Sequence, residues 1–400
     1  MDSSTITTIR LGQRLRYLDS IRGLSALYVA ACHAYLMYAA GFAEQGLQST
    51  SGSLLLATSW LMWGRSAVAV FIVVSGYCLM LPVVQSPTRE LRSTFFSFMA
   101  HRARRILPPY YAALAVSISL ILIVPSLADP TIGEWHKSFP AITAGSIASH
   151  LLLLHNYIPA HQYAIDHPLW SIATEWQIYL LFPLLVVIGK KYGDFRILSA
   201  SVAITVVLQM LLVNGWFEHN PWPAQFVGLF GLGMVCAAWN FPREGGAPPN
   251  GRRWGQRAAV LLGVGVVSNL VLGATRQQVP DLLIGAGLGC SLVFLTDAVA
   301  RGRHPLALRM LELSPLVKLG RFSYSLYLLH APVLALFYLL ARQLSLGLVE
   351  FQLFILGIGL PATIAICYLF FLIFERPFLT PRTKPASVAA ARAFGSVPIP

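Results

Sequence analysis

Charge is what this chain has least of. Only 11% of its 400 residues are Asp, Glu, Lys or Arg, against about 25% in soluble domains. Acidic side chains are the scarcer kind, 16 against 29 basic ones. That shortage excludes water as the main solvent, since a soluble core of this size needs a polar face to cover it. Paired cysteines are missing too. Cys32, Cys78, Cys236, Cys290 and Cys367 lie far apart, which excludes a zinc ribbon or a redox couple and suits small apolar fillers. No repeat of fixed period is found, which excludes a solenoid. What is abundant is hydrophobic residue, 56% of the chain, in recurring apolar runs of about 18 residues or more, each long enough to cross a bilayer.

Runs of that length lie near 22–40, 57–81, 106–125, 169–189, 197–214, 224–240, 257–274, 281–299, 322–342 and 351–374. They predict an all-α polytopic transmembrane bundle of about ten spans. An even number puts both termini on one side, and the basic residues test which side. Of the 29, only Arg65, Lys137, Arg276 and Arg342 fall on the opposite side. That asymmetry predicts both termini in the cytoplasm. It also accounts for the net charge of +13 without nucleic acid as a partner. The domain reading is a cytoplasmic tail at 1–16, a transmembrane domain at 17–380 and an Ala-, Ser- and Pro-rich disordered tail at 381–400. Arg10, Arg14 and Arg16 before the first apolar run resemble a secretory signal, but a histidine in mid-run suits a retained span. The rather apolar stretch 141–157 reads as a surface or re-entrant helix, and 241–257, with its Gly and Pro residues, as a flexible connector.

An ionisable side chain inside a span is costly, so it is a functional hypothesis by default. The candidates are His33, Arg65, Glu175 and His330, with Arg22 at the start of the first span. Eleven positions separate Arg22 from His33, which is three helical turns plus roughly 20°, so both leave the same face about 16 Å apart. They share one groove without touching. A guanidinium at the mouth and an imidazole in the interior suit a long substrate with a phosphate head and a buried reactive end, the shape of acyl-coenzyme A. The alternative reading is a snorkelling topology anchor and an interhelical hydrogen bond. Arg102, Arg104 and Arg105 gather on the same side, suited to a nucleotide's phosphates or to anionic lipid headgroups. Glu175, about 9 Å into a span entered from outside, is expected in the outer half. There it serves as partner to His33 or pairs structurally with Arg65. His136, His150, His155, His161 and His167 crowd the 126–168 loop at irregular spacing with no carboxylate cluster, so no metal site is expected.

These residues fall in segments that resemble acyltransferase family 3, membrane proteins that O-acylate sugars and related hydroxyl compounds with acyl-CoA. The resemblance covers about 17–380. It rests on YLDSIRGLSALYVAACHA at 17–34, SAVAVFIVVSGYCL at 66–79, RARRILPPYY at 102–111, HPLWSIATEWQIYLLFP at 167–183 and LGRFSYSLYLLHAPV at 319–333, in the family's order. Two departures stand out. Ala-Val-Ala at 67–69 replaces an acidic residue of many members, and Trp176 replaces a second Glu. Some relatives carry a C-terminal hydrolase-like domain, for which this chain is expected to be too short.

The resemblance implies acetyl-CoA or another acyl-CoA as co-substrate, with no tightly bound cofactor, and a carbohydrate or other hydroxyl acceptor in a bacterial cytoplasmic membrane. It implies His33 and Glu175 as catalytic residues, with His33 as general base or transient acyl carrier, and Arg22, Arg102, Arg104 and Arg105 as the acyl-CoA site. Tyr77, Ser171, Tyr179, Tyr327 and His330 are expected to line the cavity. A transporter or flippase, and an inactive partner subunit, are the competing readings. Nothing in the sequence assigns the acceptor or the oligomeric state.

Overall fold

The fold is taken from a computed structural model, which describes residues 15–44, 58–128, 142–213, 223–243, 246, 249–272 and 277–379. Residues 1–14 of the first tail, the whole of the second and His136 lie outside the described residues.

Every regular element among these residues is helical, as a lipid solvent requires, because only a helix satisfies its own backbone without neighbours or water. The long helices are α1 (Arg16–Glu44), α2 (Gly64–Val84) and α3 (Phe95–Ile123), then, after the short α4 (Ala144–Leu151), α5 (Leu169–Tyr192), α6 (Phe195–Val213) and α7 (Gln225–Asn240). Helices α8 (Gly251–Leu272) and α9 (Gln278–Ala300) follow. Two short helices, α10 (Leu306–Leu311) and α11 (Ser314–Arg321), lead into α12 (Ser323–Gln343). The last run joins α13 (Leu348–Phe354) and α14 (Leu360–Phe370) through π-helical turns. Each of the ten expected spans coincides with one of these helical segments. Among the described residues seven are long and apolar enough to cross a membrane, the apolar α6 and α7 are shorter, and α1 is not one of the seven. The stretch 141–157 holds only the eight-residue α4 and a single 3-10 turn. Eight residues rise about 12 Å, too little to cross a bilayer.

Burial sorts the bundle into centre and rim. Helices α2, α7 and α12 are buried along most of their length, whereas α8 exposes Val260, Val264, Val267, Leu270 and Val271, as expected of a face turned to lipid. Two glycine contacts set the centre. Gly76 and Gly233 let α2 and α7 pack backbone to backbone, since a Cβ on either would strike the other helix's carbonyls. Likewise, a Cβ on Gly23 of α1 would lie 2.6 Å from the Gly320 nitrogen on α11. The connector at 241–257 is less free than its composition predicts. Arg243 bonds Asp194 at 3.1 Å, and Asp194 also receives Arg89 at 2.8 Å, so two other loops hold it.

Candidate active site

Two adjoining cavities lie within the bundle. The wider, about 170 Å³, is lined by Arg22, Ser75, Cys78, Arg102, Arg105, Glu175, Tyr179 and Tyr324 among others. The narrower, about 30 Å³, shares Arg22, Glu175 and Tyr324 with it and continues past Phe71 to Ser171 and Tyr327. Local sequence explains much of this lining. Ser171, Glu175 and Tyr179 repeat every four residues along α5 and so share one face. Tyr179 donates to Glu175 and exchanges a 2.8 Å bond with Ser75. Ser171 and Tyr327 join their hydroxyls at 2.6 Å.

Beyond Tyr327 the contacts pass to the histidines. The Tyr327 and His330 rings lie 5.9 Å apart. Nε2 of His330 is 3.0 Å from Nδ1 of His33, which is also 3.0 Å from the Val29 carbonyl one turn back. His167 meets the His33 ring edge-on at 5.6 Å and stacks on Tyr163 at 4.3 Å. Three imidazoles from α1, α12 and the segment before α5 thus converge, although no group of His, Cys, Asp or Glu among the described residues is arranged to hold a metal ion.

Most of the expected site residues come together here; Arg104 and Tyr77 do not, and Glu175 does so at another level than expected. Arg104 is absent from both linings, because Arg102 and Arg105 share a helix face from which residue 104 points away. Tyr77 is fully buried elsewhere, its hydroxyl 2.6 Å from Thr296 and 2.7 Å from Asn240. It lies two residues, about 200°, around α2 from the cavity residue Ser75. Glu175 lines both cavities with Arg22, not the outer half. The reason is that residues 164–166 and Pro168 are themselves buried, so α5 begins deep in the bundle and runs from the level of His33 down to that of Arg22. The carboxylate that pairs with Arg65 is Asp281, at 3.2 Å.

Sequence reasoning missed His167 as a neighbour of His33, and Asp166, fully buried with Ser117 3.0 Å from its Oδ2. It also missed Glu375, which accepts from the backbone and hydroxyl of Ser325. The only local signal for His167 is its place at the head of the segment containing Trp170, Ser171 and Glu175.

The segment before α5 carries its own electrostatic signature. His150 and His155 stack with ring centroids 3.8 Å apart. Burial, then mutual repulsion for His155, lowers His150 to about 4 and His155 to about 2.

Comparison with known proteins agrees with this arrangement. The acyltransferase family 3 profile, described as an acyltransferase domain, matches residues 15–372. The chain is 24% identical over 339 residues to the peptidoglycan O-acetyltransferase OatA of Listeria monocytogenes, covering 80% of this chain and 50% of that protein. It is 28% identical to the acyltransferase MdmB of Streptomyces mycarofaciens, covering 80% and 79% respectively. With the O-acetyltransferase OatA of Staphylococcus aureus the identity is 23%, covering 84% and 53%. The chain therefore spans about half the length of the two OatA proteins it matches. No solved structure matches. An apolar helical bundle matched by the profile over nearly its whole length, this integral membrane protein belongs to acyltransferase family 3 and is an acyltransferase.

Proposed function

We propose that the chain is a membrane O-acyltransferase, specifically an O-acetyltransferase, moving an acyl group from cytoplasmic acyl-CoA to a hydroxyl of a sugar, cell-surface glycan or related compound. The observation that carries this reading is the unequal charge of the passage. Its wide end is lined by three guanidinium groups, Arg22, Arg102 and Arg105, against the single carboxylate of Glu175, and contacts beyond its narrow end lead to His330 and His33. Phosphates bind such a cluster through charge-assisted hydrogen bonds, and an imidazole at the far end suits acyl transfer.

In this reading the coenzyme's phosphates rest on Arg22, Arg102 and Arg105, and the pantetheine arm runs past Glu175 and Tyr324 towards Tyr327. The acceptor hydroxyl arrives from the opposite side, that of His167. His33 takes the hydroxyl proton as the oxygen attacks the thioester carbonyl. The carbon–sulfur bond breaks, and the thiolate recovers the proton from His33, so ester and free CoA form with no net proton exchange. The alternative in which His33 carries the acyl group transiently uses the same contacts. Glu175 shares its chamber with Arg22, which supports a role in shaping the phosphate end and setting Tyr179, not in orienting His33. The basic loops favour a cytoplasmic mouth in a bacterial cytoplasmic membrane. The Listeria monocytogenes relative, a peptidoglycan O-acetyltransferase, makes peptidoglycan the first acceptor to try.

The test is release of free CoA from acetyl-CoA by the purified protein in lipid nanodiscs with peptidoglycan oligosaccharides, monosaccharides and small hydroxylated natural products offered in turn. Ester formation that disappears in His33→Ala at matched abundance is the expected result. Full activity in that variant, or glycan movement across vesicles without ester formation, overturns the reading.

A further inference from the structure

The two bonded histidines differ in their surroundings, and the difference assigns their protons. Nδ1 of His330 lies 3.0 Å from the Leu326 carbonyl and 2.9 Å from that of Tyr327. Carbonyl oxygens only accept, so this nitrogen carries a hydrogen. Nδ1 of His33 faces the Val29 carbonyl at 3.0 Å and carries one for the same reason. Nε2 of His330, 3.0 Å from that Nδ1, must then be bare, because two N–H groups cannot face each other at hydrogen-bond distance. It follows that Nε2 of a neutral His33 is bare as well and is the ring's only available base.

We infer that His330 is a positioning residue for the transfer reaction, accepting the Nδ1 hydrogen of His33 so that Nε2 of His33 stays unprotonated towards the reacting groups. The inference rests on the proposed acyl transfer. When His33 takes the acceptor's proton on Nε2, its Nδ1–H remains donated to the bare Nε2 of His330, which shares the new charge without itself gaining a proton. The proton then leaves from Nε2 of His33 to the thiolate, and His330 ends as it began. His330 is fully buried on the central helix α12, so the partner is held on a rigid element, as a positioning role requires. Val29 fixes the same tautomer, but its carbonyl also serves the helix, whereas the bare nitrogen of His330 faces no other donor among the described residues.

Two substitutions separate positioning from packing. His330→Phe keeps a ring and loses the acceptor, while His330→Gln places an amide oxygen near the former Nε2. Imidazole-15N-labelled protein in nanodiscs, with His33 assigned by its loss in His33→Ala, reports the tautomer directly. The unsubstituted protein and His330→Gln should show Nδ1 protonated and Nε2 bare, and His330→Phe should show a mixture. In the CoA-release assay His330→Phe should lower kcat by about a hundredfold, within the range for a general base, with the KM for acetyl-CoA changed less than about twofold. His330→Gln should recover at least about tenfold of that loss. An Nε2-protonated His33 in the unsubstituted protein, or an unchanged spectrum and kcat in His330→Phe, overturns the inference. Absence of any turnover by the unsubstituted protein overturns the transfer reading instead, and the tautomer spectra then still decide the histidine pair.

Discussion

His330 follows His33 by 297 positions, and Gly320 follows Gly23 by the same interval. The strand of sequence from Gly320 to His330 therefore lies in register with that from Gly23 to His33, ten residues along each. The glycine contact at one level and the imidazole contact at the other belong to one parallel packing of α1 against α11 and α12. The backbone approach at Gly23, too close for a Cβ, is what lets two short imidazole side chains meet three turns further on.

Gly320→Val should for that reason damage the site from a distance. A branched side chain there meets the Asp19 carbonyl, and separating the helices breaks the histidine contact. A loss of about 1–3 kcal/mol is expected from overpacking, read as a lowered thermal midpoint in detergent. Transfer activity should fall more than folded fraction does. Activity that simply tracks folded fraction contradicts the register argument.

The arginines of α3 should divide by helix face. Arg105→Ala removes a cavity cation and should raise the KM for acetyl-CoA roughly tenfold, the loss of one charge-assisted bond of about 1.4 kcal/mol. Arg104→Ala, outside the cavity lining, should leave KM within about twofold. Equal effects at the two positions are inconsistent with phosphate binding in this cavity.

Phe71 and Tyr327 meet edge to face at 5.5 Å beside the narrow cavity. At about 30 Å³ that space admits no more than a few waters, so a pantetheine arm has to displace these rings. Phe71→Trp should therefore slow transfer from acetyl-CoA by about tenfold or more, whereas Phe71→Ala should admit longer acyl-CoA donors. Steady-state rates with acetyl-, butyryl- and octanoyl-CoA check both directions.

The buried pair His150 and His155 should make stability depend on pH. Their folded values, about 4 and about 2, lie below the ordinary 6.5. The unfolded chain thus binds more protons between pH 6.5 and these values, and stability falls as pH drops through that window. Each ring contributes at most about 1.4 kcal/mol per pH unit. A thermal midpoint that declines from pH 7 to pH 5, and declines less in His155→Phe, is the expected outcome. Parallel curves for the two proteins refute it.

Tyr77→Phe should cost about 1 kcal/mol through its lost hydrogen bonds and leave the KM for acetyl-CoA unchanged. A large rise in KM would return Tyr77 to the cavity.

Several features were legible without coordinates because they are one-dimensional. Apolar runs set where helices fall, since a bilayer offers the backbone no other partner. Helical periodicity put Arg22 and His33 on one face, and the ordered motifs identified the family. What the tertiary structure decided is depth and partnership. Glu175 belongs with Arg22 because the buried residues 164–166 and Pro168 start α5 far inside the bundle, and no hydropathy window registers how deep a helix begins. Arg65 belongs with Asp281, and His33 with His330 and His167, because contacts between helices depend on which faces pack. Those faces are set by glycine approaches hundreds of residues apart in sequence.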